Sequence, residues 1–238
     1  MTDNTTSEKL KFSATFVWLA TAFCVFLVAS NLFVPRLWRV GSLPFQLSGA
    51  VIIFPVSYII NDCLTEVYGF RKARLVIWIG FILSAFIALV AHIITRLPAP
   101  LYEDSVPIAD SFNMLFGLVP RTTFASLVAF ICGSQFNAWI MSKMKVATKG
   151  RGFGWRAIIS SLGGEMADSL VFYPIAFSGI LPAKGIIGII FTQVFVKTLY
   201  EVLILPVTTV IVKKIKAHEG IDTYDYDISY NPFKIRDI

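Results

Sequence analysis

Residues 45–67 read F-Q-L-S-G-A-V-I-I-F-P-V-S-Y-I-I-N-D-C-L-T-E-V, an apolar run of membrane-spanning length that nevertheless carries Asn61, Asp62 and Glu66. A hydrocarbon core about 30 Å thick takes about 20 helical residues. A segment in lipid has to be a helix, because an open strand edge leaves backbone N–H and C=O groups unpaired. Working outward, the same length recurs at Phe12 to Val34, Ala73 to Ile94, Val119 to Ser142, Trp155 to Phe177 and Gly185 to Val212. The expected fold is an all-α integral membrane protein with six transmembrane helices in one compact bundle. Pro35, Pro44, Gly69, Pro98, Pro120, Gly154, Gly179 and Pro182 mark the breaks between spans. The chain divides into a cytoplasmic segment 1–11, a transmembrane domain 12–212 and a cytoplasmic tail 213–238.

Composition agrees: 56% of the 238 residues are apolar and 15% are charged, with a mean hydropathy of +0.71. That is too apolar, and too contiguously so, for one soluble core. The net charge of +6 comes from short clusters between the apolar runs and not from one basic face or tail, so it signals topology and not nucleic-acid binding. Lys9 and Lys11 precede the first span, and Arg71, Lys72 and Arg74 follow the second. Lys143, Lys145, Lys149, Arg151 and Arg156 follow the fourth, and Lys213, Lys214, Lys216, Lys234 and Arg236 the sixth. The alternate loops hold Arg36, Arg39, Arg96, Arg121 and Lys184. The positive-inside rule then places both termini in the cytoplasm of a multi-pass protein of the bacterial inner membrane. The first apolar run is longer than a signal-peptide core and lacks a small-residue exit, so it should remain as the first span. Cys24, Cys63 and Cys132 form no C-x-x-C pair and have no His nearby, which fits small buried apolar residues and no metal site.

The informative residues are those that lipid should exclude. The second span carries Asn61, Asp62 and Glu66, the fourth Gln135 and Asn137, the fifth Glu165 and Asp168, and the sixth Gln193, Lys197 and Glu201. Each ionisable side chain at a helix centre costs about 2.5 to 3.5 kcal/mol on insertion scales. Five of them, with Glu66 set aside as near a helix end, amount nominally to about 12–17 kcal/mol, which points to a protein-lined cavity. Residues three or four apart share a helix face. Tyr58, Asp62 and Glu66 therefore form one stripe, Ser161, Glu165, Asp168 and Phe172 a second, and Gln193, Lys197, Tyr200 and Glu201 a third.

Structural readings compete at several positions. Lys197 and Glu201 could pair along one helix, Arg71 or Lys72 could neutralise Glu66, and Gln135 and Asn137 could join helices by hydrogen bonds. Asn31 and His92 suit packing roles. Glu165 and Asp168 resist such an account, since acids three residues apart repel unless a donor or proton lies between them. Four acids against one Lys197 leave surplus acceptors, which suit a proton, a cation, or a ligand with several N–H donors such as a guanine-like edge. The loop from Thr95 to Leu118 is expected to be a solvated connector and not a lid. The tail from His218 reads as a cap with no chemistry assigned. Gly80, Ser84 and Ala88 would fit a homodimer contact, although such spacing also serves packing within one chain.

The blocks N-D-C-L-T-E-V-Y-G (Asn61 to Gly69), F-R-K-A-R (Phe70 to Arg74), G-G-E-M-A-D-S-L-V-F (Gly163 to Phe172) and K-T-L-Y-E-V-L-I-L-P (Lys197 to Pro206) resemble the queuosine precursor transporter family. H-E-G-I-D-T-Y-D (His218 to Asp225) and N-P-F (Asn231 to Phe233) agree with it as well. The resemblance implies a six-helix importer of 7-deazaguanines such as 7-cyano-7-deazaguanine, used for the tRNA nucleoside queuosine. It also implies that Asp62, Glu66, Glu165, Asp168, Lys197 and Glu201 fall on the family's polar motif positions. The candidate substrate-binding set is those six with Gln135, Asn137, Gln193 and Tyr200, and no cofactor or metal is expected.

An alternative is the substrate-binding subunit of an energy-coupling-factor transporter, but Ala14, Ala20, Ala22 and Ala29 do not give the A-x-x-x-A docking spacing in the first span. An intramembrane enzyme is disfavoured, since the sequence has no H-E-x-x-H, no G-x-S-x-G and no G-x-G-D signature.

Overall fold

The computed structural model describes residues 13–39, 46–226, 228–231 and 234. The segment 1–11 with Lys9 and Lys11, the break at Pro44, and Pro232, Phe233 and Arg236 of the tail lie outside the described residues.

The first helix, α1 (Ala14–Phe33), starts where the Ser13 hydroxyl accepts the Phe16 N–H at 3.1 Å, a side-chain N-cap. The chain then turns through a hairpin, β1 (Leu37–Arg39) paired antiparallel with β2 (Gln46–Ser48). A 3-10 turn over Gly49–Ile52 leads into α2 (Phe54–Tyr68). The expected second span is thus a helix only from Phe54 onward. Gly49 explains the difference: its N–H donates to Arg36 O at 2.7 Å, and a Cβ there would stand 2.8 Å from Phe33 O, so the chain folds back against the end of α1.

α3 (Phe70–Ile94) follows α2 without a loop, across Gly69 at φ +86°, a backbone conformation that favours glycine. The long connector, expected to be solvated, contains α4 (Val106–Phe116), an 11-residue helix with no buried side chain. α5 (Val119–Ala147) and α6 (Phe153–Phe177) are both longer than anticipated. α7 (Ala183–Glu219) runs seven residues beyond Val212 before Gly220, at φ +64°, ends it.

α1, α2, α3, α5, α6 and α7 make one helical bundle. Among the described residues, α1, α3, α7 and the run containing α4 and α5 are long and apolar enough to cross a membrane. α2 is the inner helix: all of it except Val56 and Ile59 is buried, and its 15 residues span only about 22 Å. α5 and α6 make the most extensive helix pair. A Cβ on Gly133 would lie 2.8 Å from Gly164 O, and one on Gly164 would lie 2.9 Å from Gly133 O. Paired glycines therefore allow the two backbones to touch. The bundle has two ends, a hairpin side with β1, β2 and α4, and a tail side with both Gly69 and the segment after Gly220. Cys24 and Cys63 are buried, whereas Cys132 is exposed on the outside of α5, contrary to expectation.

Candidate functional site

The buried polar residues fall into two groups. On the tail side, Glu66 is 1% exposed at the end of α2. Arg156 of α6, 0% exposed, donates to both Glu66 oxygens at 2.5 and 2.9 Å, a bidentate fork. Lys216 of α7 donates to Glu66 Oε1 at 2.6 Å, and Lys145 of α5 donates to the Glu66 backbone carbonyl at 2.6 Å. Arg71 and Lys72 are not the partners of Glu66, because the helix-end cations of α5, α6 and α7 reach inward along their aliphatic stems. Lys145 and Arg156 are accordingly buried structural cations and not loop charges.

The same cations hold the tail. Lys145 Nζ donates to Asp222 Oδ1 at 2.7 Å and to Thr223 O at 2.6 Å, and Lys216 stands 2.9 Å from Asp222. Asp225 accepts the Phe70 N–H at 3.1 Å on each oxygen and the Ser142 hydroxyl at 2.5 Å. Arg74 donates to Ser229 O and Asn231 O at 3.0 and 2.8 Å. The segment is a strap across the α2–α3 junction, more specifically attached than a cap. Burial alone would raise the Asp222 pKa, but the hydrogen bonds from Lys145 and Lys216 outweigh it and hold the carboxyl below its usual range.

The second group lies deeper, toward the hairpin side. Asp168, Gln193 and Lys197 line a small cavity together with Asn31, Phe54, Phe172 and Tyr173. Lys197 Nζ is 3.7 Å from Asp168 Oδ2 and 4.1 Å over the Phe54 ring. Its partner is thus across the α6–α7 interface, not Glu201 on its own helix. The cavity volume is about 30 Å³, room for about one water, whereas drug-sized ligands take about 300 Å³ or more. The conformation described is a closed one.

Beneath the cavity, Asp62, Glu165 and Glu201 are 1%, 0% and 4% exposed. Asp62 accepts from Asn137 Nδ2 at 2.9 Å and from the Ser161 hydroxyl at 3.4 Å. Neither oxygen of Glu165 or of Glu201 has a hydrogen bond of good geometry among the described residues, although the Thr198 hydroxyl lies near Glu165 and the Ser161 hydroxyl near Glu201. Glu165 feels Lys197, Glu201 and Asp168 electrostatically, and Asp62 feels Glu201 and Glu66. Tyr58 stands at the centre: its hydroxyl interacts with Asp168, Glu165, Asp62 and Glu201 yet makes no hydrogen bond. A Cβ on Gly133 would stand 2.7 Å from both the Tyr58 hydroxyl and Asp168 Cβ, so the glycine contact of α5 and α6 also makes room for this ring.

Of the ten candidate residues, the structure brings Asp168, Gln193 and Lys197 to the cavity and buries Asp62, Asn137, Glu165 and Glu201 in the bundle interior outside its lining. Gln135 is buried on α5 without lining the cavity, Tyr200 is half-buried on α7 outside it, and Glu66 belongs to the tail-side cluster. Sequence reasoning underrated Tyr58, four residues before Asp62 on the same face, and Asn31, which lines the cavity. It also missed Gly133 and Gly164, for which small residues at one helix crossing were the available signal.

A family model described as "putative vitamin uptake transporter" matches residues 48–211. A protein of Bacillus subtilis (strain 168) named "Probable queuosine precursor transporter" is 26% identical over 192 residues, covering 80% of this chain and 80% of that protein. One of the same name from Haemophilus influenzae is 24% identical over 172 residues, covering 68% of this chain and 69% of its own length. No solved structure matches. The match covers the cavity residues of α2, α5, α6 and α7 but not those at the end of α1, such as Asn31, and the chain belongs to that family of membrane transporters of small molecules.

Proposed function

We propose that this protein imports 7-deazaguanine precursors of queuosine, with 7-cyano-7-deazaguanine as the reference substrate. The observation that carries the reading is the Asp168–Lys197 pair beside Gln193 in an aromatic-walled cavity. A guanine-like edge offers an exocyclic amine and a ring N–H as donors and O6 as an acceptor. Asp168 supplies two acceptor oxygens for the donors, and Lys197 or Gln193 a donor for O6. Phe172 and Tyr173 supply ring faces on which a planar base can stack. The similarity to two proteins named for queuosine precursors supports the choice of base.

The tail side faces the cytoplasm in this reading. Arg71, Lys143, Lys149, Arg151, Lys213 and Lys214 are all exposed there, as the positive-inside rule requires. Because the cavity is too small for a base, transport needs helices to part, first on the hairpin side and then on the tail side. No covalent chemistry is assigned to the site.

The test is binding and uptake by the purified chain in liposomes, with 7-cyano-7-deazaguanine, 7-aminomethyl-7-deazaguanine, queuine and guanine compared. Uptake of a deazaguanine by this chain alone also disposes of the energy-coupling-factor alternative, which requires ATPase partners. Binding of none of the four bases would overturn the substrate assignment.

A further inference from the structure

The four buried acids of the bundle interior are not equivalent. Asp168 has Lys197 at 3.7 Å, and Asp62 has Asn137 and Ser161 as donors, so each has a partner for its charged form. Glu165 and Glu201 are buried with no hydrogen bond or ion pair of good geometry among the described residues; the nearest relief is the Thr198 hydroxyl and the more distant Lys197 charge for Glu165, and the Ser161 hydroxyl for Glu201. An isolated carboxylate in a low-dielectric interior is far costlier than its neutral form.

The groups that face the two glutamates offer little relief. α2 contributes Tyr58 and Asp62, α6 the Ser161 hydroxyl, Asp168 and Tyr173, and α7 Lys197 and the Thr198 hydroxyl. α1 carries no charged side chain at all, and the charged residues of α3 lie near its two ends. The cations Arg156, Lys145 and Lys216 are engaged by Glu66 and Asp222. One ammonium therefore stands against four carboxyls.

We propose that Glu165 and Glu201 form a proton-carrying pair and that inward transport of the substrate is coupled to proton entry. In the closed form described here both glutamates hold protons. Opening toward the cytoplasm admits water, which makes the carboxylates affordable and lets the protons leave. Opening toward the outside reloads them. Interacting acids continue from Asp168 at the cavity through Glu165 and Glu201 to Asp62 and then Glu66. The Tyr58 hydroxyl, unbonded in the closed form, interacts electrostatically with the first four of these.

The coupling half of this inference rests on the transport reading above, and the proton-holding half does not, so two measurements separate them. Infrared spectroscopy of the purified protein at neutral pH, without substrate, should show a protonated-carboxyl band that weakens in Glu165→Gln and in Glu201→Gln but persists in Asp62→Asn. Absence of the band from the wild type would overturn the proposal. In proteoliposomes, 7-cyano-7-deazaguanine counterflow without a gradient is compared with uptake driven by an acidic exterior, while a trapped pH dye follows proton entry. The expected result is accumulation several-fold above counterflow, abolished by a protonophore, with dye acidification that depends on substrate. In either Gln variant the ratio of gradient-driven uptake to counterflow should fall to one, whatever the absolute rate. Counterflow that ignores the gradient would overturn the coupling. A carboxyl band without counterflow would overturn the deazaguanine assignment and leave the proton pair standing.

Discussion

Glu66 and Glu165 are both glutamates buried to 1% exposure or less on helices of the same bundle, yet their surroundings are opposite. Glu66 accepts a bidentate guanidinium and an ammonium, while neither oxygen of Glu165 has a hydrogen bond of good geometry among the described residues. Burial alone therefore does not reveal what a membrane acid is for. The paired one ties α2, α6 and α7 together and carries the tail strap; the unpaired one keeps its capacity for something that comes and goes.

The sharpest way to break this contrast is to neutralise each acid in turn. Glu66→Gln removes the counter-charge of Arg156 and Lys216, and breaking a buried pair by one partner costs about 3–5 kcal/mol. A large fall in the detergent melting temperature is expected. Glu165→Gln and Glu201→Gln replace carboxyls that already hold their protons with neutral amides of similar shape, so their melting temperatures should equal or exceed that of the wild type while transport suffers. A Glu66→Gln variant as stable as the wild type would erase the distinction.

Gly133→Ala should come next, at about 1–3 kcal/mol, because the new methyl meets Tyr58, Asp168 and the Gly164 carbonyl at once. Uptake per folded molecule should fall as well, since one of those contacts is Asp168 of the cavity and another is Tyr58 beside it. An unchanged melting temperature would show that α5 and α6 can separate freely.

The smallest effect is expected at Asp222, whose side chain is 43% exposed. Asp222→Asn should cost no more than about 1 kcal/mol, as solvent-screened pairs do. Because its folded-state pKa is depressed, the carboxylate stabilises fully above its ordinary value, about 3.9. That contribution is lost as the pH falls through the depressed value. The melting-temperature advantage of wild type over Asp222→Asn should accordingly vanish on acidification, and an advantage that persists would remove Asp222 from the strap.

The contrast was half legible in the sequence. Hydropathy locates Asp62, Glu165, Asp168 and Glu201 because an acid inside an apolar run is conspicuous, and helical spacing puts them on inward stripes. Which cation answers which acid is a tertiary matter. Arg156 and Lys145 sit at the ends of apolar runs, where a topology signal and a long side chain reaching inward look the same. Residues 46–53 are apolar enough for a helix, but pairing with β1 and the close approach of Gly49 to Phe33 and Arg36 make them a strand and a turn. α4 escaped notice because a short amphipathic stretch between prolines carries no spanning signal.

The most direct test of the account is uptake of labelled 7-cyano-7-deazaguanine by proteoliposomes containing wild type or Asp168→Asn, normalised to folded protein. The account predicts saturable import by the wild type and a loss of at least about tenfold in the variant, as expected for removing roughly 1.4 kcal/mol or more of binding. Equal import by the two proteins would contradict it.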